Sequence, residues 1–371
     1  MISGRREASG WDHGGPAPGE RGRPLLDAST TVNPFPSPDL LALLGRELGE
    51  ARRYPDPWAQ ESRDAIAARH RLQAERIVPG GGATLLLYQL LGTEPVRRLL
   101  LPEPVFSEYA RAAGTAGIPV LRIPPALDLP LSGGGALRWG IDLEGAWPRF
   151  RRGDLMVLVN PVNPTGQEFP AATLLTLARR LDQAGAGLLL DESFQDFVDN
   201  RSSLLSEAGN GSLLVLRSLT KIVGLPGLRA GFLAGPEASA GRLRARMGPW
   251  ATGHLEGVVM RWAMERRTSS DFGWEPRVRG PLLEGLSRLG IQWAIGEGPM
   301  VLARPGWSPG EGRERRSRLA ERGIRVRLAE GFGPPEGAGL LRIGCEAFSD
   351  PGRFLEGLHR PTLLPEGDFL S

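Results

Sequence analysis

The sequence predicts an α/β fold, in which a mostly parallel central sheet is clad in helices and joined to a smaller α+β domain. Between residues 77 and 233, short apolar segments of strand length alternate with longer segments of helical spacing. Such alternation is typical of parallel strands that are connected by helices. After Pro236 the pattern changes to basic helices and short strands, which indicates a second unit. The chain has 371 residues, 41% of them hydrophobic, which is enough to form a core in each unit.

The order of the elements follows from apolar spacing and from residues that break helices. Apolar residues at helical spacing predict helices over 37–48 and 60–72, separated by the rigid segment Tyr54-Pro55-Asp56-Pro57. Strands of the large sheet are predicted at 76–79, 99–101, 155–159, 188–190 and 213–216, with a helix over 85–91. The smaller unit is predicted to contain helices over 241–247 and 313–322 and strands at 301–303, 324–327 and 340–343.

These elements divide the chain into four predicted parts. Residues 1–24 are rich in Gly, Pro and Arg with few apolar anchors, so we expect a mobile N-terminal arm. Residues 25–48 are expected to form a segment that joins the small domain. Residues 49–236 are expected to form the large domain, and residues 237–371 the small C-terminal domain.

The composition argues against several classes of function. The formal net charge is only +3, so the many arginines do not by themselves indicate a nucleic-acid-binding protein. The single cysteine, Cys345, excludes an internal disulfide, and the four histidines lack metal-ligand spacing. No apolar run reaches the roughly 18 residues that a membrane-spanning helix needs, and the N-terminus lacks a signal-peptide pattern. We therefore expect a soluble cytoplasmic protein without a structural metal.

Lys221 is the only lysine of the chain, although Lys and Arg together number 45. Almost every position that needs only a cation is therefore occupied by arginine. A primary amine can condense with a carbonyl to form a Schiff base, whereas a guanidinium group stays protonated and cannot. The exception thus indicates a site for amine chemistry, unless one lysine has simply persisted under a coding bias toward arginine.

Polar side chains follow three consecutive strands predicted for the large sheet. Asn163 follows the strand at 155–159, Asp191 follows the next strand, and Lys221 follows the third. The three residues are 28 and 30 residues apart, and each interval fits one strand-helix-strand unit. Because ligands of parallel α/β sheets bind beyond the carboxyl ends of the strands, we expect these groups to share one crevice. Taken singly, Asp191 also fits a helix N-cap, and Asn163 a turn.

A glycine run, Gly80-Gly81-Gly82, precedes the helix predicted over 85–91. Glycines before a helix let backbone N–H groups approach a phosphate, and the helix dipole favours the negative charge. The run lacks the spacing of a dinucleotide fingerprint and the lysine of a P-loop. It indicates a phosphate site of another kind, or a simple turn.

These motifs together resemble the class I/II aminotransferase family of pyridoxal-phosphate enzymes of fold type I, over most of residues 25–358. The resemblance implies a homodimer with pyridoxal 5′-phosphate as cofactor. It implies that Lys221 holds the cofactor aldehyde, that Asp191 pairs with the pyridine nitrogen and that Asn163 binds the ring hydroxyl. It also implies that the cofactor phosphate is bound by the backbone of Gly82 and Ala83, by Ser218 and Arg229, and by Tyr54 of a partner subunit. Phe106 would stack on the cofactor ring, and Arg342 would bind the substrate carboxylate.

Within that family the chain is most similar to the threonine-phosphate decarboxylases of cobalamin biosynthesis, and next to the histidinol-phosphate aminotransferases. The strings that carry this similarity are His13-Gly14-Gly15, Tyr54-Pro55-Asp56-Pro57, Phe106-Ser107-Glu108-Tyr109 and Ser218 to Arg229. The sequence departs from the decarboxylase pattern at two places. Gly81 stands where the decarboxylases usually have Asn, and Phe35-Pro36 replaces the Leu-Gly that is expected after Asn33-Pro34. Phe194 stands where many aminotransferases have a tyrosine that contacts the ring hydroxyl, so Asn163 is expected to bind that group alone.

The resemblance implies decarboxylation of L-threonine O-3-phosphate, with an aminotransferase acting on histidinol phosphate or another amino acid as the alternative. A phosphorylated amino acid requires a second cationic pocket besides Arg342. His13, Asn33 and Arg327 are the candidates for it, because they fall in segments that line the substrate side in these relatives. A non-catalytic alternative is an arginine-rich binding protein on the same scaffold, contacting nucleic acid through residues 242–246.

Overall fold

A seven-stranded sheet forms the centre of the larger part of the molecule. In a computed structural model of the chain, the structure describes residues 26–145, 149–334, 337 and 339–359. The strands are β1 Leu26–Asp27, β2 Ile77–Gly81, β3 Arg98–Pro102, β4 Val120–Ile123, β5 Leu127–Pro130, β6 Ala136–Gly140, β7 Asp154–Val159, β8 Gly187–Asp191, β9 Leu213–Ser218, β10 Ala230–Ala234, β11 Gln292–Trp293, β12 Val301–Arg304, β13 Ile324–Arg325, β14 Arg327–Leu328 and β15 Leu341–Ile343. The helices are α1 Pro38–Glu47, α2 Gln60–His70, α3 Ala83–Leu91, α4 Glu108–Thr115, α5 Ala171–Gln183, α6 Glu237–Met247, α7 His254–Met264, α8 Gly280–Arg288, α9 Pro309–Glu321, α10 Glu346–Ser349 and α11 Pro351–His359.

The large sheet has the strand order β2-β10-β9-β8-β7-β3-β4. The five strands from β9 to β4 are parallel, and β10 runs antiparallel to both of its neighbours. The mostly parallel sheet predicted from the sequence is therefore confirmed. Every residue of β7 and β9 is buried, which explains why residues 155–159 and 213–216 are continuous apolar runs instead of alternating ones.

A smaller antiparallel sheet has the order β11-β12-β15-β14. The chain predicted as one strand over 324–327 forms two short strands on either side of Val326: β13 pairs with β1 in parallel, whereas β14 joins the small sheet. The first described residues, Leu26 and Asp27, thus pair with a strand from the C-terminal part of the chain.

The structure differs from the predicted domain boundary at residue 236. Helices α6 and α7 lie beyond that residue, yet α6 packs on β2 and α3, and α7 packs on α2 and β10. Helix α1 also packs on α7, so α1 too lies with the large domain. The change of pattern after residue 236 marked the end of the large sheet, but not the end of the helices that cover it. Among the described residues, no helix has the length and apolar character that crossing a bilayer requires.

The loop after β7 lies directly against a segment of the small domain. Glu297 N donates a hydrogen bond of 2.9 Å to Gly166 O. A Cβ atom on Gly296 would lie 2.6 Å from Thr165 O, so the two backbones can approach this closely only because a glycine stands there. Both terminal nitrogens of Arg279 donate to Gly296 O at 3.1 Å, which fixes the segment from its other side. The loop that carries Asn163 is thus held between the domains.

Gly296→Ala is expected to force this contact apart, because the added methyl group meets backbone atoms that cannot rotate away. Overpacking of this kind costs about 1–3 kcal/mol, so the melting temperature should fall. The matched control is Gly241→Ala in α6, where a Cβ atom meets nothing within 4 Å and the substitution should keep or raise the melting temperature. Equal melting curves for Gly296→Ala and the wild type would contradict the close contact.

Candidate active site

A cavity of about 300 Å³ lies at the carboxyl ends of β7, β8 and β9. The parallel register brings these ends together, because Val159 pairs with Asp191 and Asp191 pairs with Leu216. The cavity therefore occupies the position at which α/β sheets bind ligands. Its wall includes nine of the residues predicted for the site: Ala83, Phe106, Asn163, Asp191, Ser218, Lys221, Arg229, Arg327 and Arg342.

Lys221 lies three residues beyond the end of β9 and points its amine into the cavity. The residue as a whole is half-buried, but the amine is enclosed, with Nζ 4.7 Å from the centre of the Phe194 ring. Burial lowers the pKa of Lys221 to about 8, with the Arg229 charge acting in the same direction and Asp191 opposing them. At pH 7 roughly a tenth of the amine is then unprotonated, far more than for an ordinary lysine, and the unprotonated form is the one that attacks a carbonyl.

Asp191 is the last residue of β8, and both of its oxygens accept hydrogen bonds. Tyr109 OH donates to Oδ2 at 2.5 Å, and Ser193 N donates to Oδ1 at 2.8 Å. Burial and the Asp191 charge raise the pKa of Tyr109 well above its usual value, so the phenol stays protonated and keeps donating. These two hydrogen bonds fix the orientation of the carboxylate. The site thus holds a buried anion that can pair with a protonated ring nitrogen.

Sequence reasoning missed Tyr109, although a signal was present. Tyr109 stands three residues after Phe106, and the start of α4 brings positions at that spacing onto one side of the chain. The two rings contact each other edge to face, with centroids 6.1 Å apart. The same short segment therefore supplies both an aromatic wall of the cavity and a support for Asp191.

Asn163 lies in the loop that follows β7. Its Oδ1 atom is buried and has no hydrogen-bond partner among the residues that the structure describes. A buried polar atom without a partner is costly, and such atoms are commonly satisfied by a ligand. Asn163 thus offers an amide to a polar group inside the cavity.

An anion-binding end of the cavity forms where α3 begins. Gly82 precedes the helix with φ of 87°, and a Cβ atom there would lie 2.6 Å from a terminal nitrogen of Arg229. Ser218 Oγ and Thr220 Oγ1 lie 2.9 Å apart on the neighbouring segment. Free N–H groups at a helix start, hydroxyls and a guanidinium group suit a phosphate. These residues therefore fit the phosphate group of the implied cofactor.

Two further arginines enter the cavity from the small domain. Arg342 is buried and donates to Thr31 Oγ1 and to Ser29 O. The guanidinium of Arg327, also buried, lies over the rings of Phe332 and Phe106, 4.2 and 5.6 Å from their centres. Burial, together with the Arg327 charge, lowers the pKa of Arg342 to about 9. Two cations kept close together out of water provide a strong preference for an anionic ligand.

The charges on the cavity wall are unequal. Among the described lining residues, Asp191 is the only acid, whereas Lys221, Arg229, Arg327 and Arg342 are basic. If Asp191 and one of the four cations serve a bound ring, three cations remain to bind anionic groups. The wall therefore suits a ligand set with several negative charges.

Two predicted residues, Asn33 and Tyr54, do not line this cavity. The Asn33 side chain donates to Ile222 O and Phe272 O, each at 2.9 Å, so it braces the backbone beside Lys221 and does not face substrate. This placement does not agree with the prediction that Asn33 contacts the substrate. Tyr54 is 85% exposed and contacts Trp250, with ring centroids 5.2 Å apart and the ring planes tilted by 41°. His13 lies outside the described residues.

Comparisons with known proteins agree with this geometry. The family model described as aminotransferase class I and II matches residues 38–359. Threonine-phosphate decarboxylase from Salmonella typhimurium is 30% identical over 285 residues, which cover 76% of this chain and 74% of the relative. A histidinol-phosphate aminotransferase from Chlorobium luteolum is 29% identical over 321 residues, which cover 83% of each protein.

A solved structure shares the fold. Histidinol-phosphate aminotransferase from Sinorhizobium meliloti, solved in complex with pyridoxal-5′-phosphate, superposes with a TM-score of 0.74 at 19% identity. The match covers 89% of this chain and 88% of that one. The fold type I predicted from the sequence is confirmed.

The amine of Lys221 is expected to titrate near pH 8 in the cofactor-free protein, because burial disfavours its charged form. Reductive methylation of the Lys221 peptide, followed by mass spectrometry across pH, measures this midpoint apart from the N-terminal amine. Asp191→Asn should move the midpoint down, since the Asp191 carboxylate raises the pKa of Lys221, and Arg229→Gln should move it up. A midpoint at the ordinary lysine value of 10.5 would show that the amine is solvated.

Proposed function

The chain belongs to the aminotransferase class I and II family, and from this premise we propose that it decarboxylates L-threonine O-3-phosphate to (R)-1-amino-2-propanol O-2-phosphate, a step of cobalamin biosynthesis. The cofactor is pyridoxal 5′-phosphate. The observation that carries the choice of substrate is the pair of buried arginines, Arg327 and Arg342, in the same cavity as Lys221.

The described residues fit this cofactor group by group. We assign Lys221 Nζ as the attachment point for the aldehyde, Asp191 as the partner of the ring nitrogen and Asn163 as a partner of the ring hydroxyl. The phosphate is assigned to Ser218, Arg229 and the backbone of Gly82 and Ala83, and one face of the ring to Phe106. When bound, the cofactor accepts the electrons released as a bond to the substrate α-carbon breaks.

The protein residues then orient the substrate and move its protons. A pKa of about 8 lets Lys221 Nζ carry a proton at neutral pH and return it to the substrate α-carbon after carbon dioxide leaves. Asp191, held by Tyr109 and Ser193 N, keeps the ring nitrogen protonated as electrons arrive. Aromatic side chains on the wall, Phe106 and Phe194, limit the access of water to the reacting atoms.

The anionic groups of the proposed substrate match the arginines. We assign the carboxylate to Arg342, whose guanidinium is fixed by Thr31 and Ser29 O, and the phosphate to Arg327. A carboxylate and a phosphate would each gain charge-assisted hydrogen bonds and would offset the repulsion between the two cations. His13 stays a candidate for a third phosphate contact.

An aminotransferase acting on histidinol phosphate or another amino acid is the second candidate. It is favoured by the comparable identity and coverage of the histidinol-phosphate aminotransferase relative. Both reactions use the same cofactor residues, so the two differ in which bond of the α-carbon is held perpendicular to the ring. Histidinol phosphate has no carboxylate, so it would leave one of the two buried arginines without an anionic partner.

A homodimer is part of the proposal. Tyr54 and Trp250 form an exposed pair of contacting aromatic rings. Trp58, on the same segment as Tyr54, is 49% exposed. Exposed aromatic groups of this size commonly mark a surface that a partner covers. A second copy of the chain placed here would bring Tyr54 of one protomer toward the cofactor phosphate of its partner. We propose that this dimer acts in the cytoplasm.

The proposed reaction predicts release of carbon dioxide from O-phospho-L-threonine without any keto acid. The alternative predicts that histidinol phosphate, or another amino acid, transfers its amino group to 2-oxoglutarate, so that glutamate forms only when both are present. Purified enzyme incubated with each substrate, with carbon dioxide and glutamate both measured, separates the two. Glutamate turnover with histidinol phosphate and no carbon dioxide from O-phospho-L-threonine would contradict the decarboxylase assignment.

Substitution of Arg327 tests the phosphate assignment within the same assay. Arg327→Gln is expected to raise KM for O-phospho-L-threonine by roughly ten- to a hundredfold, because charge-assisted hydrogen bonds to the phosphate are lost. Cofactor absorbance should not change. Arg288→Gln, an exposed arginine at the end of α8, is the matched control and should leave KM unchanged. An unaltered KM in Arg327→Gln would remove Arg327 from the substrate site.

A further inference from the structure

Ser193 is a buried residue of the cavity wall. Its side chain has no role in the cofactor and substrate contacts proposed so far. It lies two residues after the end of β8 and is 3% exposed. Its backbone N–H donates to Asp191 Oδ1 at 2.8 Å, which fixes the residue beside the carboxylate. Its hydroxyl, Oγ, has no hydrogen-bond partner within the described part of the chain.

The buried hydroxyl of Ser193 lowers the stability of the folded protein. A buried donor without a partner loses its hydrogen bonds to water and gains none in return. Alanine would fill nearly the same volume without that cost. Nearby Ser218 differs in this respect, since its hydroxyl lies 2.9 Å from Thr220 Oγ1. A hydroxyl that the protein leaves unsatisfied inside a ligand cavity is suited to a polar atom of the ligand.

The position of Ser193 relative to Asn163 indicates which ligand atom this is. The two residues follow the neighbouring strands β8 and β7, whose ends are joined by a 2.9 Å hydrogen bond from Asn160 N to Asp191 O. Asn163 Oδ1 and Ser193 Oγ are both buried in the same wall, and neither has a hydrogen-bond partner in the described ranges of the chain. The adjacent Phe194 has no hydroxyl to offer.

We propose that Ser193 Oγ donates a hydrogen bond to the ring oxygen of the bound cofactor and so shares that oxygen with Asn163. This inference rests on the arrangement of the cofactor proposed above. It replaces the sequence-based expectation that Asn163 binds the ring oxygen alone. Ser193 then has two functions on one residue: the backbone N–H holds Asp191, and the hydroxyl binds the ring.

The proposal has a spectroscopic consequence. A hydrogen-bond donor stabilises an anionic oxygen, so it favours the ionised form of the ring oxygen and shifts the pH at which the bound chromophore changes its absorbance. Without the Ser193 hydroxyl that pH should rise. The affinity for the cofactor should fall by roughly five- to tenfold, as expected for one lost hydrogen bond in a buried site.

Ser193→Ala, examined with and without pyridoxal phosphate, tests the proposal. The melting temperature of the cofactor-free variant should equal or exceed that of the wild type, because an unsatisfied hydroxyl is removed. The gain in melting temperature on adding pyridoxal phosphate should be smaller than in the wild type, and the absorbance titration should shift to higher pH. Ser239→Ala is the matched control: Ser239 is buried on α6, outside the cavity, and accepts from Arg242 at 3.1 Å. It should lower both melting temperatures alike and leave the titration unchanged.

The possible results separate this inference from the proposed function. A wild-type protein without a cofactor absorbance band would count against the function itself. A normal wild-type band, with identical cofactor affinity and titration in Ser193→Ala, would overturn the role of Ser193 alone. A fall in the cofactor-free melting temperature with an unchanged response to cofactor would also overturn it, since that pattern belongs to a purely structural serine.

Discussion

The buried ion pair between Arg217 and Glu192 fixes the strand ends on which the cavity depends. Arg217 Nε donates to Glu192 Oε2 at 3.0 Å, and the same guanidinium donates to Asp196 and Asn200. Glu192 follows Asp191 directly, and Arg217 precedes Ser218 directly. Because successive side chains of a strand point to opposite faces, the ion pair on one face positions Asp191 and Ser218 on the other. Removing one partner of such a pair typically costs about 3–5 kcal/mol, so the two strand ends are held firmly.

Charge imbalance in the cavity accounts for its chemistry. The wall carries four basic side chains and one acidic one within the described residues, and burial weakens the screening by water of Asp191, Arg327 and Arg342, whereas Arg229 is exposed. Burial also lowers the pKa of Lys221 and of Arg342. Lys221 becomes a usable nucleophile and proton carrier, whereas the arginines keep their charge at neutral pH and bind anions. One physical cause, burial of cations, thus supplies both the reactive group and the selectivity for anionic ligands.

Much of the large domain could be predicted from the sequence, because its strands are continuous apolar runs and each is followed by a polar residue. This pattern is enough to predict that Asn163, Asp191 and Lys221 lie at one edge of the sheet. Helices α6 and α7 fall in the range predicted for the small domain but pack on strands and helices of the large one, because the sequence of a helix does not show which sheet it covers. Asn33 was placed on the substrate side by resemblance, while its side chain is used entirely by backbone carbonyl groups and by its own turn.

The residues that the sequence could not reveal are those defined by a hydrogen bond between distant segments. Tyr109 is 82 residues away from Asp191 along the chain, so their contact depends on how α4 lies over the sheet. Ser193 carries no signal in the sequence, because it is the fold that buries its hydroxyl with no partner among the residues that the structure describes. Such features depend on tertiary placement, which neither periodicity nor local spacing encodes.

Covalent attachment of the cofactor to Lys221 is the central claim, and borohydride reduction tests it most directly. Because the chain has one lysine, the N-terminal amine is the only other primary amine that can be labelled in the protein chain. The account predicts a single reduced pyridoxal-phosphate adduct on the Lys221 peptide and none on that peptide's counterpart in Lys221→Ala. A holoenzyme preparation whose Lys221 peptide keeps its unmodified mass after reduction would contradict it.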